Sequence, residues 1–116
     1  MKFSVVVCTY MRPNDILKML GSIKNQTLYP DQIIIVDASF NFYTKEAIEN
    51  NMIVNLEYFF VNEDVRGAAK QRNYGINMVA EDIDILCFLD DDVILTENYF
   101  EELIQKHCYL LDISLH

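Results

Sequence analysis

Three consecutive carboxylates, Asp90, Asp91 and Asp92, follow directly on the apolar run "IDILCFL" at residues 83–89. The chain already carries a formal net charge of −9. Like charges this close repel, and setting them at the edge of a core adds a desolvation cost. A bound cation offsets both. Side chains alternate along an extended segment, so Asp90 and Asp92 share one side and Asp91 takes the other. Two carboxylates on one side suit a hard divalent ion, Mg2+ or Mn2+, which prefers oxygen ligands and keeps positions open for substrate phosphates. The ion implies a polyphosphate ligand in turn, because two carboxylates do not complete an octahedral shell. A solvated acidic turn, or a cap on the following helix, is the alternative that an isolated run of aspartates allows. Its place at the end of an apolar strand favours the metal.

The other candidates for chemistry also stand just after apolar runs. "TYMRP" follows the first run, "DASF" the second and "NEDVRG" the third, which adds Thr9, Tyr10, Arg12 and Asp37 to the acidic triplet. An Asp acceptor can read a base N–H, and a Tyr can pack on a ring face. Arg66, Lys70 and Arg72 are three of nine basic residues and fall in one stretch, the kind of cationic group that a diphosphate needs.

These residues are far apart in sequence, so the fold must bring them together. Four short, β-branched runs read as strands, at 3–8, 32–37, 56–61 and 84–90. They are continuously apolar, as strands covered on both faces are. Between them lie segments with helical spacing. Residues 12–26 carry an apolar stripe of Ile16, Leu17, Leu20 and Ile23, with Pro13 near the start where a missing N–H does no harm. Residues 44–51, 67–80 and 96–107 read the same way, the last with Thr96 as its N-cap. The alternation of strand and helix predicts an α/β fold, a Rossmann-like three-layer α/β/α sandwich around a mainly parallel sheet. Ligands of such sheets sit beyond the carboxyl ends of the strands, where the strand order reverses. That edge is where the candidates gather.

Length and charge narrow the field. With 116 residues, 52% of them apolar, and no linker or repeat, the chain reads as one domain over 1–116. An excess of 18 acidic over 9 basic residues disfavours nucleic acid as a partner. The apolar runs are too short to cross a bilayer, and "MKFSVVVCTY" lacks the features of a signal peptide. The expectation is a cytoplasmic protein, including one peripheral at the inner face of the membrane. Cys8, Cys87 and Cys108 have no metal-ligand spacing and read as buried, reduced thiols, while His107 and His116 read as surface residues.

Taken together, these stretches resemble the nucleotide-binding half of family 2 glycosyltransferases, which have the GT-A fold. "SVVVCTYMRP" is similar to the family's first strand, which usually ends in Thr-Tyr-Asn-Arg, with Met11 in place of the Asn. "QIIIVDAS" is similar to its second strand, with the usual Gly-Ser after the Asp reduced to Ala38-Ser39. "RGAAKQRNYGI" matches its helix in Gly67, Arg72, Asn73 and Gly75, and "FLDDDV" looks like its Asp-x-Asp metal motif. The resemblance implies that Thr9, Tyr10 and Arg12 line a uridine pocket, that Asp37 accepts from the base with Ser39 beside it, and that Lys70 and Arg72 face the nucleotide. It implies further that Asp90 and Asp91 contact the ribose or help hold the metal, and that Asp90 and Asp92 supply its ligands. The implied reaction is metal-dependent inverting transfer, with Mn2+ or Mg2+, from a nucleoside-diphosphate sugar, UDP-linked before others, to an acceptor hydroxyl on a glycan, lipid or protein. In the family the base and the acceptor-binding elements follow the acidic strand by a hundred residues or so. Only 24 remain here, so no residue is assigned as base, the chain reads as a donor-binding part, and an exposed apolar edge would favour self-association.

Other readings of the same residues remain open. "ILCFLDDDVIL" also resembles the motif of haloacid-dehalogenase-type phosphatases, with Asp90 as nucleophile and Asp92 as acid/base, though that motif normally opens its domain. A response-regulator receiver expects its acidic pair after the first strand, where "CTYMRP" stands. A non-catalytic nucleotide-binding module would keep the pocket without turnover. Structural roles compete at single positions: a loop cap for Asp37, a salt bridge for Arg72, and helix start and close packing for Gly67 and Gly75.

Overall fold

The computed structural model describes residues 1–106, so the expectations for His107, Cys108 and His116 lie outside the described residues. Strands β1 (Phe3–Thr9), β2 (Gln32–Asp37), β3 (Leu56–Phe60) and β4 (Ile85–Leu89) make one sheet in the order β3-β2-β1-β4. Every pairing is parallel: Val5 lies opposite Ile33 and Cys87, and Ile35 opposite Tyr58. Helices α1 (Pro13–Lys24), α2 (Tyr43–Glu49) and α3 (Ala68–Asn77) cross between the strands, a 3-10 turn (Glu63–Val65) precedes α3, and a fourth helix, α4, occupies 99–106. The architecture is the Rossmann-like α/β sandwich that the alternation predicts.

Period-two burial explains the layers. Val5, Val7, Ile33 and Ile35 pack with Ile16, Met19, Leu20 and Ile23 of α1, Ile48 of α2, and Phe100 and Ile104 of α4. Val6, Ile34 and Val36 face the other way, onto Tyr74 and Met78 of α3. Fully burying each such aliphatic side chain contributes about 1.5–3 kcal/mol. The stripe of α1 is shifted from the expected one. Met19 is fully buried and Leu17 only half-buried, because the helix faces both the sheet and α2.

Element ends differ by a residue or two from the sequence reading, and by more at one place. The last helix begins at 99, not at Thr96. Thr96, three residues before that start, is not its N-cap; its carbonyl accepts the N–H of Tyr99 and the side-chain amide of Gln26 at 2.6 Å, which ties the segment to the turn after α1. Cys87 is buried as expected, but Cys8 is only half-buried, and the two lie in the cores on opposite faces of the sheet, so they do not pair.

Two glycines have the structural roles open to them in the sequence. Gly67 has φ +129° at the start of α3, a conformation that side chains disfavour. Gly75 lets α3 close on the sheet, since a Cβ there would stand 2.6 Å from Cγ1 of Val6. Gly75→Ala is therefore expected to destabilise the fold by about 1–3 kcal/mol through overpacking, read from a lower urea midpoint at unchanged m-value.

Candidate functional site

Strand order puts the reversal at β1, which has β2 on one side and β4 on the other. A cleft of about 390 Å3 opens there, at the carboxyl ends of β1 and β4. Its walls are Cys8, Thr9, Tyr10 and Arg12 after β1, Ala68 and Gln71 at the start of α3, and Asp90, Asp91 and Asp92 after β4.

The three acids differ in surroundings. Asp91 is the inward one, 9% exposed, and accepts the Thr9 hydroxyl at 2.9 Å on Oδ2 and the Arg12 guanidinium at 3.3 Å on Oδ1. Asp90 and Asp92 are exposed, with Asp92 Oδ2 3.6 Å from the same Arg12 nitrogen. Burial pushes the Asp91 carboxyl up from its ordinary range, the Thr9 hydrogen bond and Arg12 pull it back, and Asp92 pushes it further up. Thr9 and Arg12 thus offset part of the repulsion that the sequence poses. An acid whose folded pKa is raised adds stability that is present below its unfolded value, 3.8 here, and lost as pH rises through the folded value. Asp91→Asn is therefore expected to gain stability relative to the natural chain as pH climbs from below 3.8 toward neutrality, measured by urea unfolding across that range.

The fit of a divalent ion rests on the same geometry. Among the described residues no group of three or more His, Cys, Asp or Glu side chains is placed to hold a metal. Asp90 and Asp92 are both open to the cleft, which leaves an acidic pair of hard oxygen ligands. That set fits Mg2+ or Mn2+ held by one or two carboxylates with water and phosphate oxygens completing the shell, and it does not fit an all-protein cage.

The structure treats the remaining candidates unequally. Tyr10 is 41% exposed, with the Arg66 guanidinium 4.8 Å from its ring centre and Phe40 stacked obliquely at 6.4 Å. Arg66 is held there by a bond from Nε to the carbonyl of Ala38 at 3.0 Å. Arg72 stands beside the cleft in a smaller cavity of about 110 Å3, shared with Cys8, Phe88 and Asp90, and its guanidinium lies 5.7 Å from the Phe88 ring centre. Burial pushes the Cys8 thiol there up to about 11, the charge of Arg72 only partly opposing it. Lys70 is exposed on α3 and does not line the cleft.

Asp37 and Ser39 stand behind the cleft wall, completely or almost completely buried. Asp37 Oδ1 accepts both the N–H and the hydroxyl of Ser39, at 3.0 and 2.6 Å, and Oδ2 accepts the Tyr58 hydroxyl at 2.5 Å. Ser39 Oγ in turn accepts the N–H of Met11 at 2.8 Å, which fixes the turn after β1. In this arrangement Asp37 is a loop anchor, with no surface offered to a base. Tyr58 and Gln71 are absent from the sequence-derived set. Tyr58 had one signal, its place two residues from the end of a strand in the middle of an apolar run.

Met11 takes a left-handed backbone, φ +57°. A β-carbon is crowded there, at about 1–2 kcal/mol, and Asn is one of the few side chains that visit the region routinely. Met11→Asn is expected to raise the thermal midpoint by a few degrees, about 1 kcal/mol on a domain of this size, in a calorimetric scan.

The fold and the cleft at its switch point define a Rossmann-like α/β protein whose ligand edge carries acids and an arginine. Residues 4–113 match the model of glycosyl transferase family 2, and the chain belongs to that family. It is 33% identical over 110 residues to the uncharacterized glycosyltransferase YwdF of Bacillus subtilis (strain 168), covering 91% of this chain and 38% of that protein. It is 26% identical over 98 residues to the O-antigen chain rhamnosyltransferase RfbN of Salmonella typhimurium (strain LT2), covering 84% of this chain and 30% of that one. Among solved structures, S. aureus TarS 1-349 in complex with UDP superposes with a TM-score of 0.75 at 25% identity, over 90% of this chain and 31% of that one. The match thus spans about a third of the length of the curated relatives, 38% of one and 30% of the other.

Proposed function

We propose that the cleft binds the nucleoside diphosphate of a sugar donor, UDP before other nucleotides, and that the chain is the donor-binding part of an inverting glycosyltransferase. The observation that carries this reading is the convergence of Thr9, Tyr10 and Arg12 with Asp90, Asp91 and Asp92 at the β1/β4 crevice, 82 positions apart in sequence for Thr9 and Asp91. TarS 1-349, which shares the fold, has been solved in complex with UDP and with UDP-GlcNAc, which supports the nucleotide.

The roles follow from the surroundings. Tyr10 offers a half-open ring for a base, with Arg66 behind it. Arg12 already lies against the acids and is positioned to reach a phosphate bound to the ion that Asp90 and Asp92 would hold. Asp90 and Asp92 would hold Mn2+ or Mg2+, whose chemistry is to neutralise the charge that builds on a departing diphosphate. Asp91 orients Thr9 and Arg12 and is not a metal ligand in this reading. The acceptor hydroxyl, on a glycan, lipid or protein, and the base that deprotonates it are assigned to no residue of this chain.

Calorimetric titration of the chain with UDP, GDP and dTDP, each with and without Mn2+, tests the proposal. The expected result is binding of UDP in preference to the others and only weakly without the ion. Equal binding of all three, or none, overturns the donor reading. Binding of UDP without transfer from any UDP-sugar favours the non-catalytic module, and release of phosphate from a simple ester favours the phosphatase.

A further inference from the structure

Gln71 is the buried side chain at the place where β1, β2 and α3 meet. It is 4% exposed, and its amide reaches three backbone groups. Nε2 donates to the carbonyl oxygens of Thr9 at 3.1 Å and Val36 at 3.0 Å, while Oε1 accepts the N–H of Gly67 at 3.0 Å. Both amide protons and one acceptor site are used, which is what a buried amide requires to be tolerated. Thr9 closes β1, and Val36 precedes Asp37 at the end of β2. The Thr9 carbonyl also receives the N–H of Ala38 at 3.1 Å, so a single oxygen joins both strand tips and the helix through Gln71. The same side chain forms part of the cleft wall.

We propose that Gln71 is a positioning residue for this cleft: it locks the tips of β1 and β2 to the start of α3, and so sets Thr9, Tyr10 and the Asp37–Ser39 loop before a ligand arrives. The inference rests on the donor-site reading above. Without the amide, the carbonyls of Thr9 and Val36 lose the bonds that tie both strand tips to α3, and the Ala38 N–H alone is left on the Thr9 oxygen. Thr9 then no longer presents its hydroxyl reliably to Asp91, and a ligand must restore the order as it binds, which lowers affinity.

Gln71→Met keeps the volume and removes all three hydrogen bonds. Gln71→Glu keeps the shape but turns an acceptor toward two carbonyls, and serves where the Met variant does not fold. Ile48→Ala, in the core on the other face of the sheet, loosens the fold away from α3 and the cleft and is the control for a purely structural loss. Each chain is titrated with UDP in Mn2+, well below its own thermal midpoint, and its 1H–15N spectrum is recorded. The expected result is a UDP affinity about tenfold or more lower for the Gln71 variants, a loss of about 1.4 kcal/mol, with amide shifts at Tyr10, Met11, Ala38 and Ser39, and an unchanged affinity for Ile48→Ala. A lower midpoint with undiminished UDP affinity in the Gln71 variants overturns the proposal, as does an equal loss in the control. If the natural chain itself does not bind UDP, the donor reading fails, and the spectra decide on Gln71 alone. Shifts confined to α3 then refute the positioning role, and shifts that reach both strand tips sustain it.

Discussion

Asp92→Ala is expected to weaken UDP binding in Mn2+ by about 100-fold or more and to abolish the difference between titrations with and without the ion. The size follows from charge. A diphosphate entering a cleft walled by three carboxylates meets strong repulsion, against which the described residues set Arg12 directly. In the proposed reading a divalent ion would supply the rest, and Asp92 is one of the two exposed acids that would hold it. Its side chain is 54% exposed and its contact with Arg12 is 3.6 Å, so its removal leaves the fold almost untouched and the loss falls on the ligand. Asp92→Asn, which keeps the shape without the charge, behaves the same way. A variant that binds UDP with the metal dependence of the natural chain shows that the acids do not hold an ion.

The second large effect falls on stability. Asp37→Ala leaves three donors without their acceptor inside the protein: the N–H and hydroxyl of Ser39 and the hydroxyl of Tyr58. An unsatisfied buried polar group costs about 1–3 kcal/mol, and the three together about 3–5 kcal/mol where relaxation recovers some of them. That approaches the whole stability of a small domain. We expect Asp37→Ala to be largely unfolded at 37 °C by circular dichroism. Asp37→Asn is expected to fold, because its amide carbonyl still accepts from Ser39 and its NH2 can donate to the Tyr58 oxygen. UDP titration of the Asn variant then isolates any role toward a base. The pair also predicts alkaline behaviour. Burial, and next the hydrogen bond to Asp37, hold the Tyr58 hydroxyl far above its ordinary value of 10.0. A group with a raised folded pKa adds stability that is complete below the unfolded value and lost as pH climbs above it. Unfolding at increasing pH should therefore show a decline that sets in near pH 9, from the raised thiols, and steepens near pH 10, and Tyr58→Phe should remove the steeper part.

The strands, their parallel arrangement and the edge where the site lies are legible in the sequence because continuously apolar runs, their alternation with helical stripes and strand-end acids are local signals. So is the split of the acidic run, with Asp91 inward and its neighbours outward. Hidden from the sequence is what each polar group does once the strands are side by side. Asp37 is a plausible base acceptor by motif, but only the pairing that sets β3 beside β2 shows Tyr58 closing its second oxygen. Gln71 looks like an ordinary surface residue of a helix with a weak apolar stripe; the bonds that bury it run to residues 35 and 62 positions away. Thr96 reads as a cap because a Thr before an acidic turn usually is one, and loses that role because the helix starts three residues later, at 99. Long-range hydrogen bonds, unlike apolar periodicity, leave no pattern in one sequence.

Of the two inner strands, β1 is made before β2 and gains its second neighbour last. Phe3 finds its β4 neighbour only at Ile85, and Thr9 meets Asp91 after 82 further positions. At about 5–20 residues per second on the ribosome, that is an interval of roughly 4–16 s in which one flank of a β-branched strand has no partner. A nascent chain in this condition offers a template to its neighbours on the polysome, and chaperone capture should peak before residue 85 emerges. The stretch that ends this exposure is the one that delivers the acids.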